Sequence, residues 1–126
     1  MDSRELLDEL KRAVDQFGAA LVLPPENDVV KAGCIQYFEF SFEFAWKTIK
    51  RFAEDDGIAD CNSPRSALKI AFSNTWVNNE NIWLDMLMSR NKMSHTYDAD
   101  SALEIYGDLN KYLTEFRGLV DVLSRF

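Results

Sequence analysis

The stretch from Asp28 to Asp55 constrains the fold most, because its aromatic residues fit two different secondary structures. From Phe38 to Trp46 apolar and polar residues alternate, as they do in a half-buried β-strand. Over the whole stretch, however, an advance of about 100° per residue places the apolar residues on one stripe, and a strand of that length would be unusual. The stripe consists of Cys34, Ile35, Phe38, Phe42, Ala45, Trp46, Ile49 and Phe52. The sequence therefore predicts one long helix, with Gly57 as its C-terminal cap.

Three further aromatic residues, Tyr37, Phe40 and Phe44, fall on a different side of this helix. One interpretation is that they pack against another helix of the same domain, because a central bundle helix can be apolar around most of its circumference. The other is that they form a subunit interface, where aromatic residues are enriched. Helical periodicity alone leaves both interpretations open.

The segment before the long helix also has a helical pattern. Leucines and other apolar residues recur there every three or four positions, which predicts a first helix that ends near Gly18. Pro24 and Pro25 then break the chain. Residues suited to starting the long helix follow, namely Glu26, Asn27 and Asp28.

Three more helices are predicted toward the C-terminus. Ser63 and Pro64 suit an N-cap and a first helical position, and they open a short helix that runs through Phe72. The apolar residues of a fourth helix are Ile82, Trp83, Met86, Leu87 and Met93. A last helix, after Asp100, presents on one face Leu103, Tyr106, Leu109, Leu113, Phe116, Val120 and Leu123.

These patterns predict an all-α fold, an up-and-down bundle of about five helices, because no segment is convincing as a strand or a repeat. The chain has 126 residues, and 47% of them are hydrophobic, which is enough to bury one core without disulfides or metal. We therefore expect a single helical domain over residues 1–126.

Composition narrows the choice of partners and compartment. The formal net charge of −7 disfavours non-specific attraction to polyphosphates and anionic membranes, so RNA would have to bind at a local basic patch. Cys34 and Cys61 lie far apart and lack metal-ligand spacing, which suits a reducing cytoplasm and predicts no metal site. We find no secretory signal, no apolar window of membrane-spanning length and no Gly-rich phosphate loop. We therefore expect a cytoplasmic protein without membrane contact or cofactor.

The one histidine of the chain lies in the segment RNKMSHTY, residues 90–97. The polar residues of this segment are the remaining candidates for chemistry: Arg90, Asn91, Lys92, Ser94, His95 and Tyr97. On an undistorted helix Arg90 and Tyr97 would be about 20° apart, whereas Arg90 and His95 would differ by about 140°. Arg90 and His95 would therefore converge only if the helix ended or bent near His95, or if two chains formed one cleft.

An arginine and a histidine together supply the chemistry for cleaving RNA without metal. The arginine can clamp a phosphate and stabilise the charge that grows on it. The histidine titrates near neutrality and can move a proton to or from a 2′-hydroxyl or a leaving oxygen. Spacing alone nevertheless favours structural roles, in which His95 complements a helix end and Tyr97 is a half-buried tyrosine with a solvated hydroxyl.

Taken with its context, the pattern Arg90-x4-His95-x-Tyr97 resembles the RX4HXY motif of HEPN-domain toxins. Those toxins are paired with minimal nucleotidyltransferase antitoxins and are also called nucleotidyltransferase substrate-binding proteins. The segments FEFAWKTIKRFAEDDGI and SPRSALKIAF precede the motif in an order similar to that of the family. The resemblance therefore covers most of residues 28–120.

The resemblance implies an HEPN-like bundle that forms a homodimer around a composite cleft. It also implies an endoribonuclease toxin that a cognate minimal nucleotidyltransferase antitoxin neutralises. Arg90 and His95 match the catalytic pair, with Asn91 as an assisting residue, and Tyr97 matches the tyrosine that receives AMP. For RNA binding we expect a basic rim that includes Arg65, Lys69 and Lys92, extended by Lys47, Lys50 and Arg51.

Two other functions fit the same residues. One is a non-catalytic subunit that binds a nucleotidyltransferase and presents or regulates its substrate. The other is a helical dimerisation module in which the polar motif is only structural. RNA cleavage by the isolated chain would distinguish the toxin from both.

Overall fold

The computed structural model describes residues 1–93 and 99–126, and the regular structure within these ranges is entirely helical. Five of the helices have ten or more residues, and a short helix and a 3₁₀-helix precede the last of them. The elements are α1 (Ser3–Val22), α2 (Asp28–Asp55), α3 (Pro64–Ser73), α4 (Glu80–Met93), α5 (Ala99–Leu103), a 3₁₀-helix (Glu104–Asp108) and α6 (Leu109–Leu123). The predicted all-α, up-and-down bundle of about five helices is confirmed.

The long helix predicted from the aromatic stretch is α2, and its bounds are those predicted. At its start, the Asn27 side chain accepts a hydrogen bond from the backbone N–H of Val30 at 3.1 Å. At its end, Gly57 has a φ of 77°, a conformation that few residues other than glycine adopt easily. This turn lets the N–H of Ile58 donate to the carbonyl of Ala53 at 2.9 Å, which closes the helix.

α2 is the central helix, with α1, α3 and α6 packed around it. Its apolar stripe includes Phe38, a fully buried side chain. From the Phe38 ring, the centroid distances are 5.1 Å to Tyr112, 6.2 Å to Phe116 and 6.5 Å to Phe17. Trp83 extends this cluster to α4, because its ring lies 5.6 Å from that of Phe116. Packing between aromatic rings therefore joins α1, α2, α4 and α6 in one core.

The start of α3 has the predicted N-cap. The Ser63 hydroxyl accepts a hydrogen bond from the N–H of Ser66 at 3.1 Å, and the Ser66 hydroxyl accepts one from the N–H of Ser63 at 3.0 Å. These reciprocal bonds form a capping box, and Pro64 occupies the first turn, where a missing N–H costs least. The helix thus begins without an unsatisfied donor at its cap and buries Ala67, Leu68 and Ala71.

The first helix is longer than predicted, since α1 continues past Gly18 to Val22. Gly18 is not a cap: it is buried next to α6, where an added Cβ would clash with the end of the Arg117 side chain. The helix ends instead just before the two prolines, because a residue that precedes proline disfavours the helical conformation. Leu23 is accordingly extended. The prediction was wrong because a glycine that permits close packing looks the same in sequence as one that caps a helix.

The last helix predicted after Asp100 is not continuous. The chain forms α5, then the 3₁₀-helix, and only then α6. Gly107 lies within the 3₁₀-helix, and glycine opposes regular α-helix because it loses more backbone freedom than other residues. Leu103 and Tyr106 are nevertheless half-buried against the core, and Leu109 is fully buried. The predicted residues therefore still face the core across the change of helix type, and Ile105, which was not predicted, is buried with them.

The second aromatic side of α2 is divided between the core and the surface. Tyr37 and Phe44 are half-buried against the core, as the interpretation of packing within the domain requires. Phe40 is 45% exposed and contacts Tyr37 edge-on, with 6.3 Å between the ring centroids. Whether Phe40 contributes to a subunit interface stays a prediction.

Replacing Phe38 by alanine should lower the free energy of unfolding by about 3–5 kcal/mol, because a cavity would remain among its aromatic neighbours. Urea unfolding followed by circular dichroism measures this change. Val29→Ala is the matched control on the same helix, since Val29 is 80% exposed and should change stability by at most about 0.5 kcal/mol. Equal losses in the two variants would contradict the importance of the Phe38 cluster.

Candidate functional site

Arg90, one of the two predicted catalytic residues, lies in the last turn of α4 and extends toward α2. Its Nε donates a hydrogen bond to Oε1 of Glu43 at 2.9 Å, and its Nη2 lies 2.8 Å from the same oxygen. The two side chains are 31% and 35% exposed, so water only partly screens this ion pair. The contact joins two helices and fixes one edge of the guanidinium group.

Glu43 is itself held in place by its own helix. Its other oxygen, Oε2, accepts a hydrogen bond from the indole Nε1 of Trp46 at 3.0 Å. The spacing of Glu39, Glu43 and Trp46 places all three on one face of α2, beside the buried stripe. Both carboxylate oxygens of Glu43 are therefore engaged, one by α2 and one by α4.

Asn91 also contacts Arg90. Nη1 of Arg90 donates a hydrogen bond to Oδ1 of Asn91 at 3.1 Å. The structure therefore brings together two of the predicted site residues, Arg90 and Asn91. The assisting role of Asn91 in catalysis stays a prediction.

Glu39 adds a second carboxylate to this site, one turn before Glu43. Burial raises the pKa of Glu39, the negative charge of Glu43 raises it further, and the positive charge of Arg90 lowers it. The face of α2 that meets Arg90 is therefore acidic. A phosphate that binds Arg90 has to approach from a side other than α2, because both glutamates repel it.

Lys92 lies on a different side of α4 from Arg90. It lines a cleft of about 530 Å³ next to the 3₁₀-helix and α6, and its Nζ is 3.9 Å from Oε2 of Glu104. The other acidic residues that line this cleft are Asp85 and Asp108. The predicted RNA contact at Lys92 would thus lie in acidic surroundings and away from the Glu43 side of Arg90.

The other residues of the predicted basic rim fall into two groups. Lys47, Lys50 and Arg51 line a cleft beside the start of α1, where Arg51 already pairs with two acidic residues of α2. Arg65 and Lys69 are exposed one turn apart on α3. The first group lies on α2 and the second on α3, and these two helices pack against each other. That all of these residues form one rim stays a prediction.

The remaining predicted site residues, Ser94, His95 and Tyr97, lie outside the described residues. The catalytic role of His95 and the modification of Tyr97 therefore stay predictions. The same holds for the requirement that a helix end or a second subunit bring His95 close to Arg90.

Sequence reasoning missed Glu43 and Trp46 as parts of the site. A signal was present, because Glu39 and Glu43 lie four residues apart at the edge of an apolar stripe, where a carboxylate needs a partner. The identity of that partner, Arg90, was not readable. It depends on how α4 packs on α2, and the two residues are 47 positions apart.

Neither a metal site nor a membrane-spanning helix is found in the described ranges. Within residues 1–93 and 99–126, no three His, Cys, Asp or Glu side chains are grouped so that they could hold a metal ion. Nor does any helix in those ranges combine the length and the apolar character that crossing a membrane requires. Cys34 and Cys61 are buried free thiols, and burial raises the pKa of both.

The sequence matches one known family over nearly its whole length. Residues 5–125 match the family model described as nucleotidyltransferase substrate binding protein like. Over 103 residues the chain is also 30% identical to the probable ribonuclease HepT of Haemophilus influenzae, a match that covers 79% of this chain and 70% of that protein.

Two solved structures resemble the fold. One, from Haemophilus influenzae, is described as the fold of a substrate binding domain of a nucleotidyltransferase. It is 26% identical, with a TM-score of 0.82 over 94% of this chain and 98% of that one. The other, from Thermus thermophilus, is 23% identical, with a TM-score of 0.80 over 90% of this chain and 98% of that one. The second likeness concerns the fold alone.

Glu39→Gln should stabilise the protein relative to wild type, and more so as the pH rises from about 4 to about 7. The raised pKa means that the folded state holds the Glu39 proton more tightly than the unfolded state does. Wild-type stability therefore falls as the pH rises through that raised pKa, and the variant lacks this loss. Urea midpoints at several pH values measure the difference, with exposed Glu26→Gln as the control. A stability difference independent of pH would contradict the expectation.

Proposed function

Because the chain belongs to the family described as nucleotidyltransferase substrate binding protein like, we propose that it is the toxin of a toxin–antitoxin pair. In this proposal it is a metal-independent endoribonuclease that a cognate minimal nucleotidyltransferase antitoxin neutralises. The similarity to a probable ribonuclease supports the activity. The similarity to a substrate-binding domain of a nucleotidyltransferase supports the partner.

The observation that carries the proposal is the placement of Arg90. It lies in the last turn of α4, held on one edge by Glu43 and contacted by Asn91. It is also the first residue of the RX4HXY pattern, so His95 follows five residues later along the chain. A fixed arginine followed closely by a histidine supplies a phosphate-binding group and a proton-transfer group in one segment.

In the proposed reaction, the 2′-oxygen of a ribose attacks the adjacent phosphorus. A bond forms between these atoms, and the bond from phosphorus to the 5′-oxygen of the next nucleotide breaks. His95 takes the proton from the 2′-hydroxyl and returns one to the leaving 5′-oxygen. Arg90 stabilises the negative charge that builds on the other phosphate oxygens. The products are a 2′,3′-cyclic phosphate and a free 5′-hydroxyl, and neither step requires a metal ion or a cofactor.

The proposed active form is a homodimer of one-domain chains in the cytoplasm. An undistorted helix would hold Arg90 and His95 about 140° apart. A cleft shared by two copies presents each residue twice about a two-fold axis, so an arginine and a histidine can meet across it. The exposed Phe40 ring on α2 is a candidate contact in that dimer.

RNA binding is proposed to use Arg65, Lys69 and Lys92, and it should be weak and sensitive to salt. The net charge of −7 repels the phosphate backbone, and Lys92 lines a cleft with Asp85, Glu104 and Asp108, whose negative charges oppose a phosphate. Few phosphates can then be neutralised at once. Orientation at the Arg90 site, more than long-range attraction, would select the bond that is cut.

Neutralisation is proposed to act through Tyr97. Its hydroxyl oxygen attacks the α-phosphorus of ATP bound to the antitoxin, the bond to pyrophosphate breaks, and the phenolic proton is released. The tyrosine then carries an adenylate with a negative charge, seven residues after Arg90 in the chain. The added bulk and charge would block and repel RNA at the cleft.

A non-catalytic role is the second candidate function. The chain would then bind a nucleotidyltransferase and present or regulate its substrate. The description of the family and of the Haemophilus influenzae structure favours this role. So does the acidic face around Arg90, which is an unusual setting for an RNA-binding arginine. This candidate predicts a stable complex with the enzyme and no RNA cleavage by the isolated chain.

Arg90→Ala and His95→Ala should each reduce RNA cleavage by at least about 10²-fold, with helicity and self-association unchanged, because each removes one of the two reacting groups. Cleavage of a labelled oligoribonucleotide in the presence of EDTA measures the activity. Arg12→Ala is the matched control, since Arg12 forms an exposed ion pair on α1. If His95→Ala protein cleaves at the wild-type rate, the catalytic assignment is wrong.

Tyr97→Phe should keep the ribonuclease activity but resist neutralisation, because it lacks the hydroxyl that accepts AMP. After co-expression with the cognate nucleotidyltransferase, wild-type protein should gain the mass of one or more adenylates and the variant should not. Intact-protein mass spectrometry measures this gain, and Tyr106→Phe serves as the control. A mass gain that persists in Tyr97→Phe would place the modification elsewhere.

A further inference from the structure

We propose that Glu43 is a positioning residue for Arg90, and that Trp46 in turn orients Glu43. This inference rests on the proposed ribonuclease function, in which Arg90 stabilises the charge on the phosphate. It concerns residues of α2, which lie far in sequence from the RX4HXY segment. The chain of contacts runs from the indole of Trp46 through the carboxylate of Glu43 to the guanidinium of Arg90.

The first step is the geometry at Arg90. Oε1 of Glu43 accepts from Nε at 2.9 Å and lies 2.8 Å from Nη2, so one oxygen is held by two nitrogens of the guanidinium. An arginine side chain has several rotatable bonds, and an unconstrained one spreads its charge over many positions. Two contacts on one edge of a planar group fix the direction of the plane. Nη1, on the other side of the group, donates a hydrogen bond to Oδ1 of Asn91 at 3.1 Å.

The second step is the geometry at Glu43. A glutamate that only balanced a charge could rotate freely about its terminal bond. Here Oε2 accepts a hydrogen bond from Trp46 at 3.0 Å, while Oε1 faces Arg90, so the two oxygens are not interchangeable. Trp46 is half-buried on the same face of α2 and packs against the core. Because the core holds the indole, the indole N–H fixes the orientation of the Glu43 carboxylate. The carboxylate in turn fixes the orientation of the Arg90 guanidinium.

The third step separates positioning from stabilisation. The Arg90 and Glu43 side chains are 31% and 35% exposed, and an ion pair that is even partly screened by water adds little to stability. Transition-state stabilisation is far more sensitive, because a displacement of about 1 Å of a group that meets the reacting phosphate costs roughly 10²-fold in rate. Loss of Glu43 should therefore change the reaction much more than the fold.

Glu39 explains why the guanidinium of Arg90 needs Glu43 in particular, and not just any carboxylate on α2. It lies one turn before Glu43 on α2 and interacts electrostatically with Arg90. In a Glu43→Ala variant, Glu39 is the carboxylate that remains on this face to attract the guanidinium. Arg90 would then shift toward the start of α2 and keep a partner there. Loss of activity would come from the wrong position of the charge, with the charge itself still present.

Kinetics with a labelled oligoribonucleotide of mixed sequence test this inference. Glu43→Ala should lower kcat by about 10²-fold with KM changed by less than about threefold, because the interaction is needed in the transition state more than in the bound substrate. Trp46→Phe removes the indole N–H and keeps an aromatic ring, so it should lower kcat less, by about threefold to tenfold. Glu9→Ala is the matched control, because Glu9 also pairs with an arginine, Arg12, but both residues lie in α1. It should leave both constants unchanged.

Two further measurements distinguish positioning from a general loss of structure. Thermal unfolding of Glu43→Ala should shift by no more than a few degrees. The NMR signal of the Arg90 Nε–H, assigned through Arg90→Lys, should move and exchange faster with water in Glu43→Ala. Persistence of that signal at its wild-type position would overturn the positioning role.

The kinetic outcomes also separate this inference from the proposed function. If Arg90→Ala is inactive and Glu43→Ala cleaves at the wild-type rate, the positioning role is wrong and the ribonuclease assignment stands. If kcat falls only in proportion to the folded fraction, Glu43 is structural and the inference is again wrong. If wild type and Arg90→Ala cleave equally, or neither cleaves, the ribonuclease function and the inference fall together.

Discussion

The packing of the buried Phe38 ring against neighbouring aromatic rings sets the arrangement of α1, α2, α4 and α6. The ring lies on the central helix α2 and touches aromatic rings of α1 and α6, and Phe116 carries the packing on to Trp83 of α4. Aromatic side chains bury large areas and pack at defined angles. Four helices that meet at one set of rings therefore have little freedom to slide, and this fixes the distance between α2 and α4.

That fixed distance is what makes the candidate site possible. Glu43 and Trp46 lie beside the buried stripe of α2, and Arg90 lies in the last turn of α4, so the core next to them sets their separation. The Trp46–Glu43–Arg90 contacts span both helices with hydrogen bonds of 2.9–3.0 Å. In the proposed ribonuclease, an arginine held in this way would be oriented before the substrate binds, which avoids the cost of ordering it during the reaction.

The charge distribution around Arg90 differs from that of a typical RNA-binding surface. Two glutamates adjoin the arginine, the cleft that contains Lys92 is largely acidic, and the net charge is −7. These negative charges therefore oppose a strong general attraction to RNA. In the proposed ribonuclease, action on RNA would therefore depend on local orientation, and one added negative charge could close the cleft.

Local sequence patterns were enough to predict the five main helices. Helical periodicity gave the bounds of α2, Ser63 and Pro64 gave the start of α3, and Gly57 gave the turn after α2, because each depends on residues within a few positions. These patterns misplaced the end of α1, since the role of Gly18 depends on Arg117 of α6. The RX4HXY motif in the sequence pointed to Arg90, whereas Glu43 was not predicted as part of the site. The contact between these two side chains could not be read from the sequence, because a contact across 47 positions depends on how whole helices pack.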